Sequence, residues 1–418
     1  MDNKTPAINY FDAVKGESLT SEDLSDYTKE IRRVCDQFPG QVKDLKAKLS
    51  KKYDKVYAVG IGDSLYSADT VKFDFWNNTG IQMEVLESQE FNNYYIDYMP
   101  KNSLVFICSG GGSAARTVES SYLAQKRGAA VVAITLTPKS RLTASCDDVL
   151  CFSTEKRCFI DGSRNYMSLA LLLKLVGIQI GLFNGTLQKE KENAILDKVV
   201  SDMTIGFKSL MKNEKTIRTI MDGAKDQRKF YFLGAGPSYY LAHCGAAKFM
   251  EESAADGIVQ QLEEYGHEQY WVNNRRLENA TIISICPDGK SVQRCVENLD
   301  EQNFLGMNTI LLTTSPVNDL FVEKADYTIA TDGPLAENDY WMAAGGIVAR
   351  MANFYTQFIN FSDKRFLSSE QFIEHYRTIH YSRLLPEVAE FDIEIPDDKT
   401  IGERGAYGLT FGEEDKSE

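Results

Sequence analysis

A glutamate and a histidine sixteen residues apart are the side chains in this sequence best suited to moving protons. Glu251 ends the segment Lys248-Phe249-Met250-Glu251, and His267 ends the segment Glu264-Tyr265-Gly266-His267. Moving a carbonyl between neighbouring carbons requires one group that takes a proton beside the carbonyl and a second that handles the oxygen. A carboxylate and an imidazole meet both needs. Taken alone, the two residues also fit a solvated helix glutamate and a loop histidine.

Four short glycine-containing turns each follow an apolar run and precede a helical stretch. Such a turn aims backbone N–H groups and the positive end of a helix at one point, which suits a phosphate group. The alternative is a strand-to-helix turn in which serine only caps the helix. A dinucleotide site is the weaker hypothesis, because Leu65 and Tyr239 stand where a G-x-G-x-x-G pattern needs its third glycine. The turns span residues 60–64, 108–113, 234–238 and 287–291.

The same order of apolar runs and helical stretches occurs twice along the chain. Gly60 precedes Gly234 by 174 residues, and the same interval separates Gly62 from Gly236 and Ser64 from Ser238. Strands separated by helices predict an α/β fold with parallel, doubly wound sheets, and the repeat predicts two tandem domains. The expected divisions are an N-terminal extension over 1–45, domains over 46–190 and 226–345, a helical linker over 191–225, and a C-terminal helix and tail over 346–418.

The composition of the 418 residues excludes several classes of protein. Hydrophobic residues at 43% and charged residues at 25% are ordinary for a folded chain and do not fit a disordered one. The 60 acidic residues exceed the 46 basic ones, and the net charge of −14 argues against nucleic acid or anionic membranes as partners. An anionic small substrate would then be held by backbone N–H groups, hydroxyls and one or two placed cations.

The sequence predicts a reduced, cytoplasmic protein without a metal or other cofactor. This prediction rests on the cysteines, the first residues of the chain and the spacing of the histidines. The eight cysteines form no C-x-x-C pair, and the chain starts Met1-Asp2-Asn3-Lys4 without a basic-then-apolar leader. The apolar stretch 169–183 is shorter than the ~20 residues of a membrane span, so it predicts a buried helix. No two histidines have metal-binding spacing, and His375 and His380 are expected on a surface helix.

Together with the glycine turns, the segment from Lys248 to His267 resembles that of proteins with two SIS (sugar isomerase) domains. In the isomerase half of glucosamine-6-phosphate synthase and in fructosamine-6-phosphate deglycases, a helix carries Lys-x-x-Glu. A histidine in a Glu-x-x-His context follows that glutamate by sixteen residues, the interval from Glu251 to His267 here. The resemblance covers about residues 45–360. It implies flavodoxin-like SIS domains, an enzyme that processes phosphosugars, and a homodimer or larger assembly in which a neighbouring subunit supplies the histidine.

The resemblance also implies roles for individual residues. Glu251 would move a proton between C1 and C2 of the sugar, and His267 would open the ring or protonate the leaving amine. Lys248 would lie close to the substrate. Glu264 would orient the loop. The residues implied to bind the substrate or its phosphate are Gly62, Asp63, Ser64, Ser109, Gly110, Gly111, Ser113, Ser238 and Glu264.

The sequence departs from the family pattern in two glycine turns. The usual Ser-x-Ser-Gly-x-Thr reads Cys-Ser-Gly-Gly-Gly-Ser over residues 108–113, and the usual Thr-Ser pair is Asp63-Ser64. A carboxylate beside a phosphate is electrostatically unfavourable, so these residues leave open whether the substrate is phosphorylated.

Two functions remain from different classes. The first residues contain no cysteine nucleophile for glutamine hydrolysis, and the C-terminal lysine of the synthase has no match. The expected reaction is therefore isomerisation, deamination or deglycation of an amino- or N-linked ketose or aldose 6-phosphate. The alternative is a non-catalytic regulatory protein that binds sugar phosphates, because such proteins carry the same domain.

Overall fold

The computed structural model describes residues 18–152, 162–269, 280–359 and 369–382. Parts of the predicted C-terminal region, residues 360–368 and 383–418, lie outside the described residues, as does Cys158. The described residues form two parallel five-stranded sheets with helices on their faces. The predicted α/β class with tandem flavodoxin-like domains is confirmed.

The first sheet lies between residues 55 and 151. Its strands are β1 (Lys55–Gly60), β2 (Met83–Glu87), β3 (Ser103–Ser109), β4 (Ala130–Thr135) and β5 (Val149–Cys151). They pair in the parallel order β2-β1-β3-β4-β5. The helices from the N-terminus through this half are α1 (Ser21–Gln41), α2 (Lys46–Leu49), α3 (Asp63–Thr79), α4 (Ser88–Glu90), α5 (Ala115–Arg127), α6 (Arg141–Ser145) and α7 (Arg164–Asn184).

The second sheet repeats this topology. Its strands are β6 (Lys229–Gly234), β7 (Asp256–Gln261), β8 (Ala280–Ile285), β9 (Asn308–Thr313) and β10 (Tyr327–Ala330). Their order, β10-β9-β8-β6-β7, is that of the first sheet when the strands are matched in sequence. The helices that follow α7 are α8 (Glu192–Gly223), α9 (Pro237–Ser253), α10 (Leu262–Gln269), α11 (Val292–Phe304), α12 (Trp341–Phe358) and α13 (Ser369–Tyr381).

The repeated glycine turns adopt the same backbone conformation in both halves. Gly62 and Gly236 have φ values of 53° and 54°, in the left-handed region that glycine enters without steric cost. Each turn leads the chain from the first strand of its sheet into the helix that follows, α3 or α9. The register-matched Gly-x-Gly-x-Ser pattern therefore marks a structural repeat, as predicted.

Helices from both halves and from the linker pack together between the sheets. Helix α3 packs against α7 and α9, while α12 packs against α8 and α9. The N-terminal helix α1 packs against α8 with its apolar residues buried. Helix α12 passes through the predicted domain boundary at residue 345, so the predicted divisions of the chain stay predictions.

Helix α7 is the predicted buried helix. Of the described residues, it alone is long and apolar enough to cross a membrane, and 94% of its apolar window is buried inside the protein. Lys174 near its centre explains how a charged side chain fits there. Its Nζ donates to Asp74 on α3 and to Asp339 just before α12, both at 2.8 Å. Burial acts to lower the pKa of Lys174, but the two carboxylates outweigh this effect and raise it above its usual range.

We expect Lys174→Met to lower the free energy of unfolding by about 3 kcal/mol, because it leaves two buried carboxylates without their counter-charge. Chemical denaturation monitored by circular dichroism measures the change. Lys225→Met is the matched control, because Lys225 pairs with Asp222 on the surface and such pairs contribute less than about 1 kcal/mol. Equal effects of the two substitutions would contradict the expectation.

Candidate active site

The candidate active site lies where the start of α3 meets the second half of α9. Lys72 Nζ of α3 donates to the Tyr240 hydroxyl near the start of α9 at 2.7 Å. Lys248, near the other end of α9, reaches Asp63 at the first position of α3. The two helices therefore run antiparallel, and the last turns of α9 cover the glycine turn of the first half.

Lys248 joins the two halves of the molecule at this point. Its Nζ donates to Asp63 Oδ2 at 3.0 Å and to Glu251 Oε2 at 2.7 Å. The lysine side chain is only 4% exposed, whereas that of Glu251 is 53% exposed. A buried ammonium thus holds one oxygen of a carboxylate whose other side faces solvent.

The charges of this cluster set the protonation of Lys248. Burial acts to lower its pKa, but the carboxylates of Asp63 and Glu251 outweigh burial and raise the pKa well above its usual range. Burial also raises the pKa of Asp63, against the opposing attraction of Lys248. The second carboxylate oxygen of Asp63, Oδ1, is buried without a hydrogen-bond partner among the described residues. Lys248 is therefore a cation at neutral pH.

Two glycine turns of the first half come together beside Asp63. The Gly110 N–H donates to Ser64 Oγ at 3.4 Å and links the turn after β3 to the turn after β1. Within the second turn, the Gly112 N–H donates to Ser109 Oγ at 3.0 Å. The predicted binding residues of the first half therefore lie at the carboxyl ends of two adjacent parallel strands, where such folds bind ligands.

The residues at and just before the start of α7 line another side of the candidate site, which the sequence did not predict. A Cβ placed on Gly162 would lie 3.3 Å from Lys248 Cδ and would collide with Glu252 Oε1. Asn165 lies against Gly110 in the same way. The only local signal was a Gly-Ser pair before a long apolar helix, and its contacts reach residues far away in the sequence.

Helix α13 covers the other side of the turn after β3. His380 Nδ1 lies 3.1 Å from Ser113 Oγ, and Arg116 Nη2 donates to Ser382 Oγ at 2.8 Å. Arg141 donates to the His380 carbonyl. His375 is exposed on α13, in keeping with the predicted surface helix, whereas the His380 ring is half-buried against the turn.

The SIS domain profile matches residues 48–175. The glutamine–fructose-6-phosphate aminotransferase (isomerizing) of Thermotoga maritima is 30% identical over 219 residues, which cover 52% of this chain and 36% of the relative. The enzyme of the same name from Pyrococcus horikoshii is 25% identical and covers 72% of this chain and 50% of its own. The chain thus spans a third to a half of the length of these relatives.

A solved structure matches most of the chain. The C-terminal domain of glucosamine-fructose-6-phosphate aminotransferase from Francisella tularensis superposes with a TM-score of 0.67 at 18% identity, covering 83% of this chain and 97% of that one. Residues 48–175 are a SIS domain, and the described chain has the fold of two tandem SIS domains. Its two sheets are the tandem SIS domains that the sequence resemblance implied.

Three predicted site residues of this double-SIS protein are not brought together with Glu251. Glu264 and His267 are exposed on α10, and no hydrogen bond or ion pair joins His267 to Glu251 in the described part of the chain. Ser238 lies in the glycine turn of the second SIS domain, at the start of α9. Since Ser238 precedes Lys248 by ten residues on one helix, the two are about 15 Å apart along the axis.

The contact of α13 with the first SIS domain is expected to weaken at acid pH. Burial lowers the pKa of His380, and the positive charges of Arg141 and His375 add to this effect. The pKa of the detached side chain is about 6.5. The stabilisation is therefore complete above about pH 6.5 and is lost as the pH falls through the lower value of the docked ring.

Hydrogen exchange of the α13 amides between pH 7.5 and 5 measures this loss, after correction for the intrinsic pH dependence of exchange. Protection should fall with pH in the wild type. His380→Gln is the control, because it cannot be protonated in this range and its protection should depend less on pH. Equal pH dependence in both proteins would show that His380 does not control docking.

Proposed function

We propose that this chain is an enzyme that acts on an amino- or N-linked ketose or aldose 6-phosphate by proton transfer between C1 and C2, as an isomerase, deaminase or deglycase. The observation that supports this proposal is the position of the Glu251 carboxylate. It is half exposed, and the buried Lys248 holds one of its oxygens in place through a hydrogen bond. A base needs an accessible oxygen in a fixed direction, and the free oxygen of Glu251 meets this need.

The cation beside Glu251 suits the other half of the reaction. Removing a proton beside a carbonyl places negative charge on the carbonyl oxygen. A fixed ammonium stabilises such charge most where water is excluded, and Lys248 is almost fully buried. His267 would handle the sugar oxygen or the leaving amine after arriving from a neighbouring subunit.

The unpaired Asp63 Oδ1 is compatible with a substrate that presents a hydrogen-bond donor, such as an amine, to this site. This buried carboxylate oxygen lies beside the Lys248–Glu251 pair and has no donor among the described residues. An ammonium or hydroxyl group of the substrate would supply the missing hydrogen bond. The names of the relatives, which describe an isomerizing aminotransferase of fructose 6-phosphate, are consistent with such a ligand.

The second candidate function is a regulatory protein that binds sugar phosphates without turning them over. The observation in its favour is the contact between His380 and Ser113. Helix α13 covers the turn after β3, which would bind the phosphate, and its position could therefore depend on whether a ligand is bound. A protein that only binds sugar phosphates does not require the Lys248–Glu251 ion pair, so this function leaves the pair unexplained.

Glu251→Gln should lower turnover by at least ~10²-fold with little loss of sugar binding, because an amide keeps the shape of the side chain but cannot accept a proton. The measurement is solvent deuterium incorporation at C1 or C2 across a panel of ketose and aldose 6-phosphates, amino sugars and fructosamine phosphates. Incorporation should vanish in this variant.

His267→Asn is the matched comparison. If His267 opens the ring, deuterium exchange should persist at a reduced level and recover on substrates that spend more time in the open-chain form. Undiminished exchange in Glu251→Gln would remove this glutamate from the chemistry. Binding without exchange in the wild-type protein would favour the regulatory function.

We expect a homodimer or larger assembly in solution, because His267 is exposed and makes no hydrogen bond or ion pair with its own Glu251 among the described residues. Light scattering coupled to size exclusion should give at least twice the chain mass of 47.0 kDa at micromolar concentration. Mixing Glu251→Gln subunits with His267→Asn subunits should raise turnover above that of either variant alone if the histidine acts across the interface. A monomer of full activity would exclude this arrangement.

A further inference from the structure

We propose that Asn165 is a specificity-determining residue of the first SIS domain, and that its amide nitrogen binds the anionic end of the substrate in place of the hydroxyl absent at Gly110. The inference rests on the proposed function, since it concerns how the same site holds a phosphorylated sugar.

The backbone of Gly110 is fixed from both sides. Its N–H donates to Ser64 Oγ at 3.4 Å, and its carbonyl accepts hydrogen bonds from Thr137 Oγ1 at 3.0 Å and from the Leu136 N–H at 3.2 Å. The residue therefore cannot shift to make room for a side chain without breaking these contacts. What lies against its Cα decides which side chain the position accepts.

Asn165 occupies the space that a side chain at position 110 would need. A Cβ on Gly110 would lie 3.0 Å from Asn165 Oδ1 and 3.1 Å from its Cγ, closer than nine in ten real Cβ contacts. A serine at position 110 would therefore displace the Asn165 amide from its present position by a few tenths of an ångström. The asparagine brings a polar group to the turn where the family pattern has a hydroxyl.

The donor of this amide is available to a ligand. Asn165 is exposed, its Nδ2 is not among the atoms nearest Gly110, and it has no hydrogen-bond partner within the described part of the chain. Two N–H groups on Nδ2 can donate to phosphate oxygens. Since Gly162 touches Lys248 three residues earlier, the start of α7 extends from the proposed catalytic pair to the phosphate turn.

Three cations of the first and second halves near this turn are engaged by other groups of the described chain. Arg116 pairs with Glu119, and Arg141 donates to the carbonyl groups of His380 and Ser113. Lys248 is shared by two carboxylates. The free N–H groups of Asn165 can therefore add to the backbone N–H groups of the turn where these three cations are committed elsewhere.

The test measures binding of inorganic phosphate, fructose 6-phosphate and fructose by calorimetry in folded, full-length variants. Asn165→Ala should weaken binding of both phosphate ligands about tenfold, the loss expected for one hydrogen bond to a charged group, while fructose binding changes little. Asn165→Asp keeps the shape but repels the anion, so it should weaken binding further. Asn77→Ala, an exposed asparagine at the far end of α3, is the matched control and should bind as the wild type does.

Substitutions at positions 110 and 165, made singly and together, give a second and independent test of the proposal. Gly110→Ser alone should weaken phosphate binding because the new side chain displaces the Asn165 amide from the turn. The double variant Gly110→Ser/Asn165→Ala should regain affinity relative to either single variant, because the hydroxyl then takes the vacated space. Thermal unfolding of each variant verifies that the fold is kept.

Wild-type phosphate affinity in Asn165→Ala, or no recovery in the double variant, would overturn the role of Asn165. Failure of the wild type to bind either phosphate ligand would overturn it as well. Failure of the proposed function is distinguishable, because it would appear as missing deuterium exchange while phosphate binding still depends on Asn165.

Discussion

The contact between Lys248 and Asp63 is the interaction on which the rest of the site depends. It joins the last turns of α9 in the second SIS domain to the first residue of α3 in the first. A buried ammonium is costly unless carboxylates surround it, so this pair holds the two helices in one register. The same ammonium fixes Glu251, and the stem of Lys248 packs on Gly162 at the start of α7. One ion pair therefore relates the proposed base, the glycine turn after β1 and the contact between the two halves.

The 174-residue repeat allows equivalent positions in the two halves to be compared. Shifting by the 174-residue repeat places Asp74 at the position of Lys248, and Asn77 at that of Glu251. In the pseudo-equivalent place, Asp74 binds the buried Lys174 and contributes to packing, with no accessible carboxylate beside it corresponding to Glu251. The duplicated framework thus places a buried ion pair at equivalent positions, once between the halves in the candidate site and once within the core of the first half.

Local sequence patterns predicted the helices, strands and turns. The arrangement of the site depends instead on contacts between residues that lie far apart in the sequence. The glycine turns, β-branched runs and Lys-x-x-Glu segment are short patterns, because a turn conformation or one helix face is set by a few neighbouring residues. Asn165 against Gly110 and His380 against Ser113 could not be predicted in this way, because no local pattern states which turn a helix end will meet. Asp63 was recognised as an unusual residue, but its partner Lys248 lies 185 positions away.

That partner also accounts for a carboxylate beside a turn that would bind phosphate. From the sequence alone, Asp63 should repel an anion, since both would carry negative charge in a confined site. Lys248 lies 3.0 Å from Asp63 Oδ2 and offsets this repulsion, although Glu251 uses the same cation. The cluster then has a net charge near −1, so it supplies little attraction of its own. In a chain of net charge −14, an anion on this turn must be held mainly by short-range donors, the backbone N–H groups and neutral side chains of the first SIS domain.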